Sequence, residues 1–391
     1  MAFIVLVCLF LFGNTSALGA FPALLPDIGR TGALSDAQLG SLAAAFGFAR
    51  LVADVPIGLF LAHHLRRAFV LSPLLLLSGL VCLVSGAPYP VLVLGRGLMG
   101  LGHGLGMMAG LTAILRFRAG ARLSSYLNAV EFSGMIGILS GATIISLLPT
   151  RLPWQAAFAT ACSPLLLGVV IVPWILRRVP RAARRAPLFA RHAPALAGDS
   201  AASRRPARTP LVRLAFVAGA AVALAYSTVE QFLIPLRGTR ELSLDRSGVA
   251  RLLMLMQASD IVALMPVGRL SDRLGPARVL SVIVVLLGTG TALIGFGRLP
   301  VVAVGCVLAG VGIAGWMLPL SVLRQETSAQ HITWRTAVYR LGVDGGIFLG
   351  PFASGLLGER HAAIVWLAVA VVLVTVGFAF GRARGARAAA A

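Results

Sequence analysis

Chemistry in this chain would have to come from a handful of charged side chains set in otherwise apolar stretches. Glu131 lies in "YLNAVEFSGMIGILSG", Glu230 in "AYSTVEQFLIPL" and Asp344 in "YRLGVDGGIFLGPFASG". A carboxyl held among apolar side chains either binds and releases protons or is paired permanently with a cation. For Glu131 and Asp344 the cations to weigh are Arg340 and Arg96. Arg96 opens "RGLMGLGHGLG"; a guanidinium there must face the protein interior and find a partner, or snorkel to the surface. Tyr226 stands one helical turn before Glu230 on the same face, so the two form a candidate binding pair for substrate or proton. Asp54 has Arg50 one turn away, and Asp260 has Arg251 nine residues away, as candidate partners. His103, seven residues after Arg96, shares its face and either titrates near neutral pH or simply packs.

The elements that carry these residues are membrane-spanning. With 58% hydrophobic residues, 12% charged residues and a mean hydropathy of +0.91, the composition excludes an ordinary soluble domain. Apolar stretches long enough to cross ~30 Å of hydrocarbon recur twelve times, six per half, for instance 38–61, 69–87 and 90–115. Their length selects helices over the short alternating strands of a barrel. The first stretch lacks a basic leader and runs on through "LGAFPALLP", which reads as a first spanning helix rather than a secretory signal.

The second half repeats the first about 210 residues on, in order. Pro56 and Gly58 recur as Pro266 and Gly268; Gly95, Gly100 and Gly102 as Gly305, Gly310 and Gly312; Glu131 and Gly137 as Asp344 and Gly350. Leu34, Ser35 and Gly40 align with Leu242, Ser243 and Gly248. Two copies of a membrane module point to a carrier with a site between the halves. The expected fold class is an all-α membrane protein of twelve transmembrane helices in two pseudo-symmetric six-helix bundles. The division is 1–176 for the first bundle, 177–210 for an Arg/Pro/Ala-rich cytoplasmic linker and 211–391 for the second bundle with a short basic tail.

There is no lysine, so arginine sets the orientation. Arg66 and Arg67, Arg116, Arg118 and Arg122, the linker, Arg269, Arg273 and Arg278, and the tail concentrate arginine on one side of the membrane. The positive-inside bias places that side, with both termini, in the cytoplasm of a cell-membrane protein. The net charge of +21 is then explained by topology and anionic lipid, and no nucleic-acid partner is expected. Cys8, Cys82, Cys162 and Cys306 lie in spans without metal-ligand spacing, and the loops hold no phosphate-binding or catalytic motif. Neither an enzyme, nor a metal site, nor a bound cofactor is expected.

The segment "GRLSDRLGPARVL", residues 268–280, closely resembles the G-x-L-[AS]-D-R-x-G signature of the major facilitator superfamily (MFS), between helices 8 and 9. The resemblance covers nearly the whole chain, and its pattern is similar to that of bacterial drug/proton antiporters. It implies a gate over Gly268, Asp272, Arg273 and Gly275, in which Gly268 lets two helices approach and Asp272 and Arg273 bond to neighbouring helix ends. The first-half counterpart, "GLFLAHHLRRAFV", keeps Gly58, Arg66 and Arg67 but has Ala62 where the family has aspartate. His63 and His64 beside it read as interfacial loop residues. Arg96 with the following glycines resembles the family's helix 4. Gly100, Gly102 and Gly104, Gly134, Gly137 and Gly141, and Gly350 with Pro351 are the expected close-packing positions. The antiporters' helix 5 Gly-Pro is replaced at Ser140 and survives only as Gly350-Pro351 in helix 11.

The implied function is secondary active transport by alternating access. The reading favours proton-coupled export of a small hydrophobic or amphiphilic compound through a mostly apolar cavity, by a monomer driven by the proton motive force. An uptake permease of the same fold is the first alternative. A non-transporting membrane scaffold or sensor, which would have lost its buried charges, is the second.

Overall fold

The computed structural model describes residues 2–117, 123–180, 210–327 and 332–389, and these residues form helices and no strand. Helix α1 spans Ala2–Gly32. The next helix, Asp36–Val84, has 49 residues, which at 1.5 Å per residue is about 74 Å, far more than one crossing of ~30 Å needs. It bends at His64 (φ −126°, ψ 33°) into α2 (36–63) and α3 (65–84). Then come α4 (Tyr89–Phe117), α5 (Leu123–Leu147) and α6 (Trp154–Arg178). The second half holds α7 (Pro210–Arg240), α8 (Arg246–Leu274), α9 (Pro276–Phe296) and α10 (Leu299–Gln325). The last helix, Ile332–Ala389, divides at Gly358 (φ 63°) into α11 (332–357) and α12 (359–389). Among the described residues, eleven helical stretches are long and apolar enough to cross a membrane, and the bent Asp36–Val84 supplies two crossings, giving the expected twelve.

Two expectations change. The connection over 62–68 is a bend in a helix rather than a loop. Leu61, Leu65 and Ala68 are all buried at helical spacing, and that apolar stripe carries the helix through the turn. The register between halves also shifts. Ala33 (φ 47°) and Ser243 (φ 53°) hold the same left-handed turn position, followed by the N-caps Ser35 and Asp245. Ser35 therefore corresponds to Asp245 and not to Ser243. The recurring Leu-Ser pair matched in letters while the backbone roles lay two residues apart. The expected linker 177–210 falls largely on 181–209, outside the described residues.

Within each half, small residues let backbones meet and hydroxyls join the helices. Thr15 of α1 donates to Gly134 O of α5 at 2.9 Å, and Ser227 of α7 donates to Gly346 O of α11 at 3.1 Å. Asn14 of α1 donates to Ser72 of α3, which donates to Gly102 O of α4 at 2.8 Å. In hydrocarbon such bonds have no water to compete with them.

The halves meet along two seams, α2 against α11 and α5 against α8. The face that carries the α1–α2 and α7–α8 turns is closed. Arg240 bridges to Asp36 at 2.6 Å, and Arg246 reaches Asp27 at 3.4 Å and the carbonyls of Leu152 (3.0 Å) and Pro149 (2.7 Å). Ser247 donates to Ser146 O at 2.7 Å. Gly40 approaches Gly355 so closely that a Cβ on either would lie 2.6 Å from the other's Cα. On the opposite face the picture inverts. A Cβ added to Gly58 of α2 or Gly268 of α8 would meet nothing within 4 Å. Val55, Leu59, Val262 and Met265 are exposed there.

Candidate functional site

Just inside the closed face, both bundles present polar groups to each other. Arg96 of α4 is 1% exposed. Its guanidinium lies over the Phe21 ring at 3.8 Å and the Phe46 ring at 4.7 Å, and its Nη2 donates to Gln231 Oε1 of α7 at 3.0 Å. Stacking on two rings and one bond across the seam make it an interior residue, which rules out snorkelling. Its Nε and Nη1 are buried without a hydrogen-bond partner.

Glu230 is fully buried and sits in a π-helical turn, Val229–Leu233, in the middle of α7. One extra residue per turn rotates the helix locally, and such turns cluster at functional sites. Here the turn sends Gln231 to Arg96 and Glu230 to α8, where Gln257 donates to its Oε1 at 3.1 Å. Tyr226 comes close enough to interact with the carboxyl and packs edge-on against Trp316 at 5.8 Å. Glu230 Oε2, Gln257 Oε1 and Thr228 Oγ1 are left buried and unbonded. Unsatisfied buried polar atoms are few in proteins; here they gather around one spot, with donor edges on the first bundle and acceptor atoms on the second.

A second group lies on the α2–α11 seam. Arg50 and Asp344 form an ion pair at 2.8 Å, and Arg340 and Asp54 one at 3.6 Å. The pairing is crossed relative to expectation. Asp54 forms its ion pair with Arg340 of the other bundle and not with Arg50 one turn away, and Asp344 takes Arg50 rather than Arg340 or Arg96. An interhelical partner wins because each arginine reaches past its own helix to a carboxyl that no lipid could solvate. Asp260 of α8 makes no ion pair with Arg251, which is exposed; its Oδ1 is buried and unpartnered. Glu131 of α5 is half-buried and makes no hydrogen bond or ion pair among the described residues. His103 is 6% exposed and packs against Phe46 at 5.3 Å.

The gate residues occupy the open face. Asp272 and Arg273 are exposed, and among the described residues neither side chain makes an ion pair or hydrogen bond. Gly268 meets no helix in this conformer, against the expected close approach, because the seams have parted on its side. Gly275 turns α8 into α9 at φ 86°, a value that favours glycine. In the first half Arg66 donates to the Leu176 and Val179 carbonyls at the end of α6, a brace inside one bundle, while Arg67 is exposed. The packing glycines divide. Gly100 abuts Phe46 O, Gly102 Ser72 O, Gly137 Phe12 O, Gly141 Ser16 O and Gly350 Leu224 O. Pro351 lends its carbonyl to the Gly40 contact, whereas Gly104 and Gly134 have room for a methyl group.

The sequence reading passed over Gln231, Gln257, Phe21, Phe46 and the π turn. An amide in an apolar stretch is nearly as telling as an acid, so the two glutamines carried a usable signal. The π turn carried none.

The charge cluster corrects the expectation of a mostly apolar cavity with few convergent charges. Two helical bundles closing on a buried polar site define a multi-pass membrane carrier. The description "Major Facilitator Superfamily" matches residues 3–256 and again 231–389, and the chain belongs to that family. Among curated proteins no relative matches. Among solved structures the chain is similar to the nucleoside transporter NupG, with TM-score 0.71 and 14% identity over 98% of this chain and 99% of that one. It is similar to the peptide transporter POT in complex with sulfate, with TM-score 0.74 and 14% identity over 97% and 93%. A POT family transporter in complex with 5-aminolevulinic acid gives TM-score 0.76 and 13% identity over 96% and 94%. At these identities the likeness is one of fold.

Proposed function

We propose that this chain is a secondary active transporter that moves a small organic compound by alternating access, coupled to protons. The observation that carries the reading is the buried set Arg96, Gln231, Glu230 and Gln257, contributed by both bundles and left partly unbonded. A scaffold would have no reason to keep polar atoms unsatisfied at such a seam. With arginine marking the cytoplasmic side, the closed face is external and the gate face internal, so this conformer faces the cytoplasm. The rocking units are residues 1–176 and 211–391, tethered by 177–210, in a monomer in the cell membrane with both termini inside.

The substrate binds between Arg96 and Glu230, and membrane-buried acids carry the proton. Because opposite charges converge there, a compound with ionised or strongly polar groups fits better than a purely apolar one. Export rests on the antiporter-like pattern, of which Gly350-Pro351 is the surviving piece. Uptake is the second reading, favoured by the polar site and by fold relatives whose names specify nucleosides and peptides.

Reconstitution into liposomes tests both readings. With an imposed proton gradient, at least one member of a labelled panel of nucleosides, peptides, amino acids and cationic dyes should accumulate, its direction separating export from uptake. No accumulation and no counterflow for any member would refute transport. Proton-driven movement unchanged in Glu131→Gln, Glu230→Gln and Asp344→Asn would refute the coupling.

A further inference from the structure

Where α7 and α12 reach the arginine-rich side of the membrane, a groove of about 850 Å³ lies between them. Arg213 and Leu214 line it from α7, and Thr375, Phe378, Ala379 and Arg382 from α12. Both guanidinium groups are exposed, and among the described residues neither makes an ion pair or a hydrogen bond. No aspartate or glutamate occurs from 200 to 229 or from 360 to 391, so the parts of both helices that form the groove supply no counter-charge. Two like charges on one groove repel each other, and an anion between them turns that repulsion into attraction.

Toward the membrane centre the same faces continue as an apolar track. On α12, Val371, Thr375, Phe378 and Arg382 recur at helical spacing on one side, with Val371 54% and Phe378 63% exposed. On α7, Val217 stands one turn deeper than Arg213 and is 49% exposed. From Arg382 to Val371 the helix rises about 17 Å at 1.5 Å per residue, close to the depth of one leaflet of a ~30 Å hydrocarbon layer. Cations at the boundary above an apolar wall match a phospholipid, with its phosphate above and its acyl chain below. The chain's own neighbouring segments carry the wrong charge to fill the groove. Residues 181–209 hold seven arginines against the single acid Asp199, and the tail adds Arg384 and Arg387. A second groove on this side, about 320 Å³ and lined by Arg66, Arg67, Val70, Leu71 and Leu176, has one guanidinium already engaged, because Arg66 donates to the Leu176 and Val179 carbonyls.

We propose that the α7–α12 groove binds one anionic phospholipid of the arginine-rich leaflet, with its phosphate held between Arg213 and Arg382 and an acyl chain laid along Phe378, Val217 and Val371. Guanidinium groups take phosphate oxygens through charge-assisted, paired hydrogen bonds. A zwitterionic headgroup brings its own cation to a place that already holds two, so the site selects lipids of net negative charge. The inference rests on the membrane-spanning fold alone, and on neither the direction nor the substrate of transport.

Native mass spectrometry of the full chain, titrated with phosphatidylglycerol or phosphatidylcholine of matched acyl chains, counts the lipids that stay bound. The wild type should hold one phosphatidylglycerol about tenfold more tightly than phosphatidylcholine. Arg213→Gln and Arg382→Gln should each weaken that binding about tenfold, the loss of one charge-assisted contact. Arg67→Gln removes the same charge from the second groove and should leave the binding unchanged. Phe378→Ala should weaken long-chain phosphatidylglycerol and spare a dihexanoyl form that has little chain to lay on the track. All four side chains are exposed, so their replacement leaves the packed interior intact, and thermal unfolding curves verify it. Equal binding of the two lipids by the wild type overturns the proposal. So does an equal loss in Arg67→Gln, which would mean a diffuse attraction between a basic face and anionic lipid. Displacement of the lipid by millimolar inorganic phosphate would assign the groove to a soluble anion and overturn the proposal as well.

Discussion

Replacing Arg50 by glutamine should open the closed face, and the size of the effect follows from the geometry. Asp344 is 2% exposed in its side chain and Arg50 19%, so removing the arginine strands a carboxyl with no water nearby. Losing one partner of a buried pair costs 3–5 kcal/mol in general; the partial exposure of Arg50 argues for the low end, about 3 kcal/mol. The pair joins the two bundles, so the loss falls on the conformer that holds α2 against α11. At 1.4 kcal/mol per decade, the ratio of closed to open external face should fall roughly a hundredfold. Asp344→Asn should cost less, about 1–2 kcal/mol, because the orphaned Arg50 keeps some contact with the opening. The double variant should cost about 2–3 kcal/mol rather than the additive sum of about 4–5, a coupling energy of about 2 kcal/mol. Paired labels on the external ends of α2 and α11 measure the populations. A coupling under about 0.5 kcal/mol, or a population unmoved in Arg50→Gln, would show that the ion pair does not hold the seam.

Three further outcomes follow from other contacts. Gly40→Val should block closure of the external face, because a Cβ there already meets Gly355 Cα and Pro351 O at 2.6 Å and neither backbone can yield; cysteine accessibility along α2 should rise from outside. Arg96→Lys should weaken binding of the transported compound about tenfold by losing the planar stack on Phe21 and the fork toward Gln231; unchanged affinity in a titration would remove Arg96 from the site. Gly275→Ala should lower thermal stability by about 1–3 kcal/mol, since φ 86° with ψ 143° strains any side chain; an unshifted unfolding curve would mean the α8–α9 turn relaxes freely.

The fold was legible because it depends on coarse quantities. Twelve apolar stretches and an ordered repeat require only hydropathy and spacing, and hydrocarbon permits few alternatives. The buried acids were legible for the same reason: Glu230 and Asp344 are conspicuous in apolar text. What they touch was not. Asp54 was assigned the arginine four residues away, since sequence shows neighbours on one helix and hides the helix opposite. The register slipped by two residues because Leu-Ser recurs as letters, whereas the left-handed residue and the N-cap, Ala33 with Ser35 and Ser243 with Asp245, recur as backbone. The π turn at Val229–Leu233 is invisible in sequence, yet it decides that Gln231 faces Arg96 while Glu230 faces Gln257.

The duplication explains where the chain was free to diverge. Both halves keep the glycines and hydroxyls that let α1 meet α5 and α7 meet α11. In the alternating access proposed above, the seams between halves are made and broken, and there the two copies carry different charges. One copy of the gate retains Asp272 and Arg273, while the other has turned Arg66 inward to brace its own bundle. The α2–α11 seam carries Arg50 opposite Asp344 and Arg340 opposite Asp54, while α5 carries Glu131 and α8 carries Asp260.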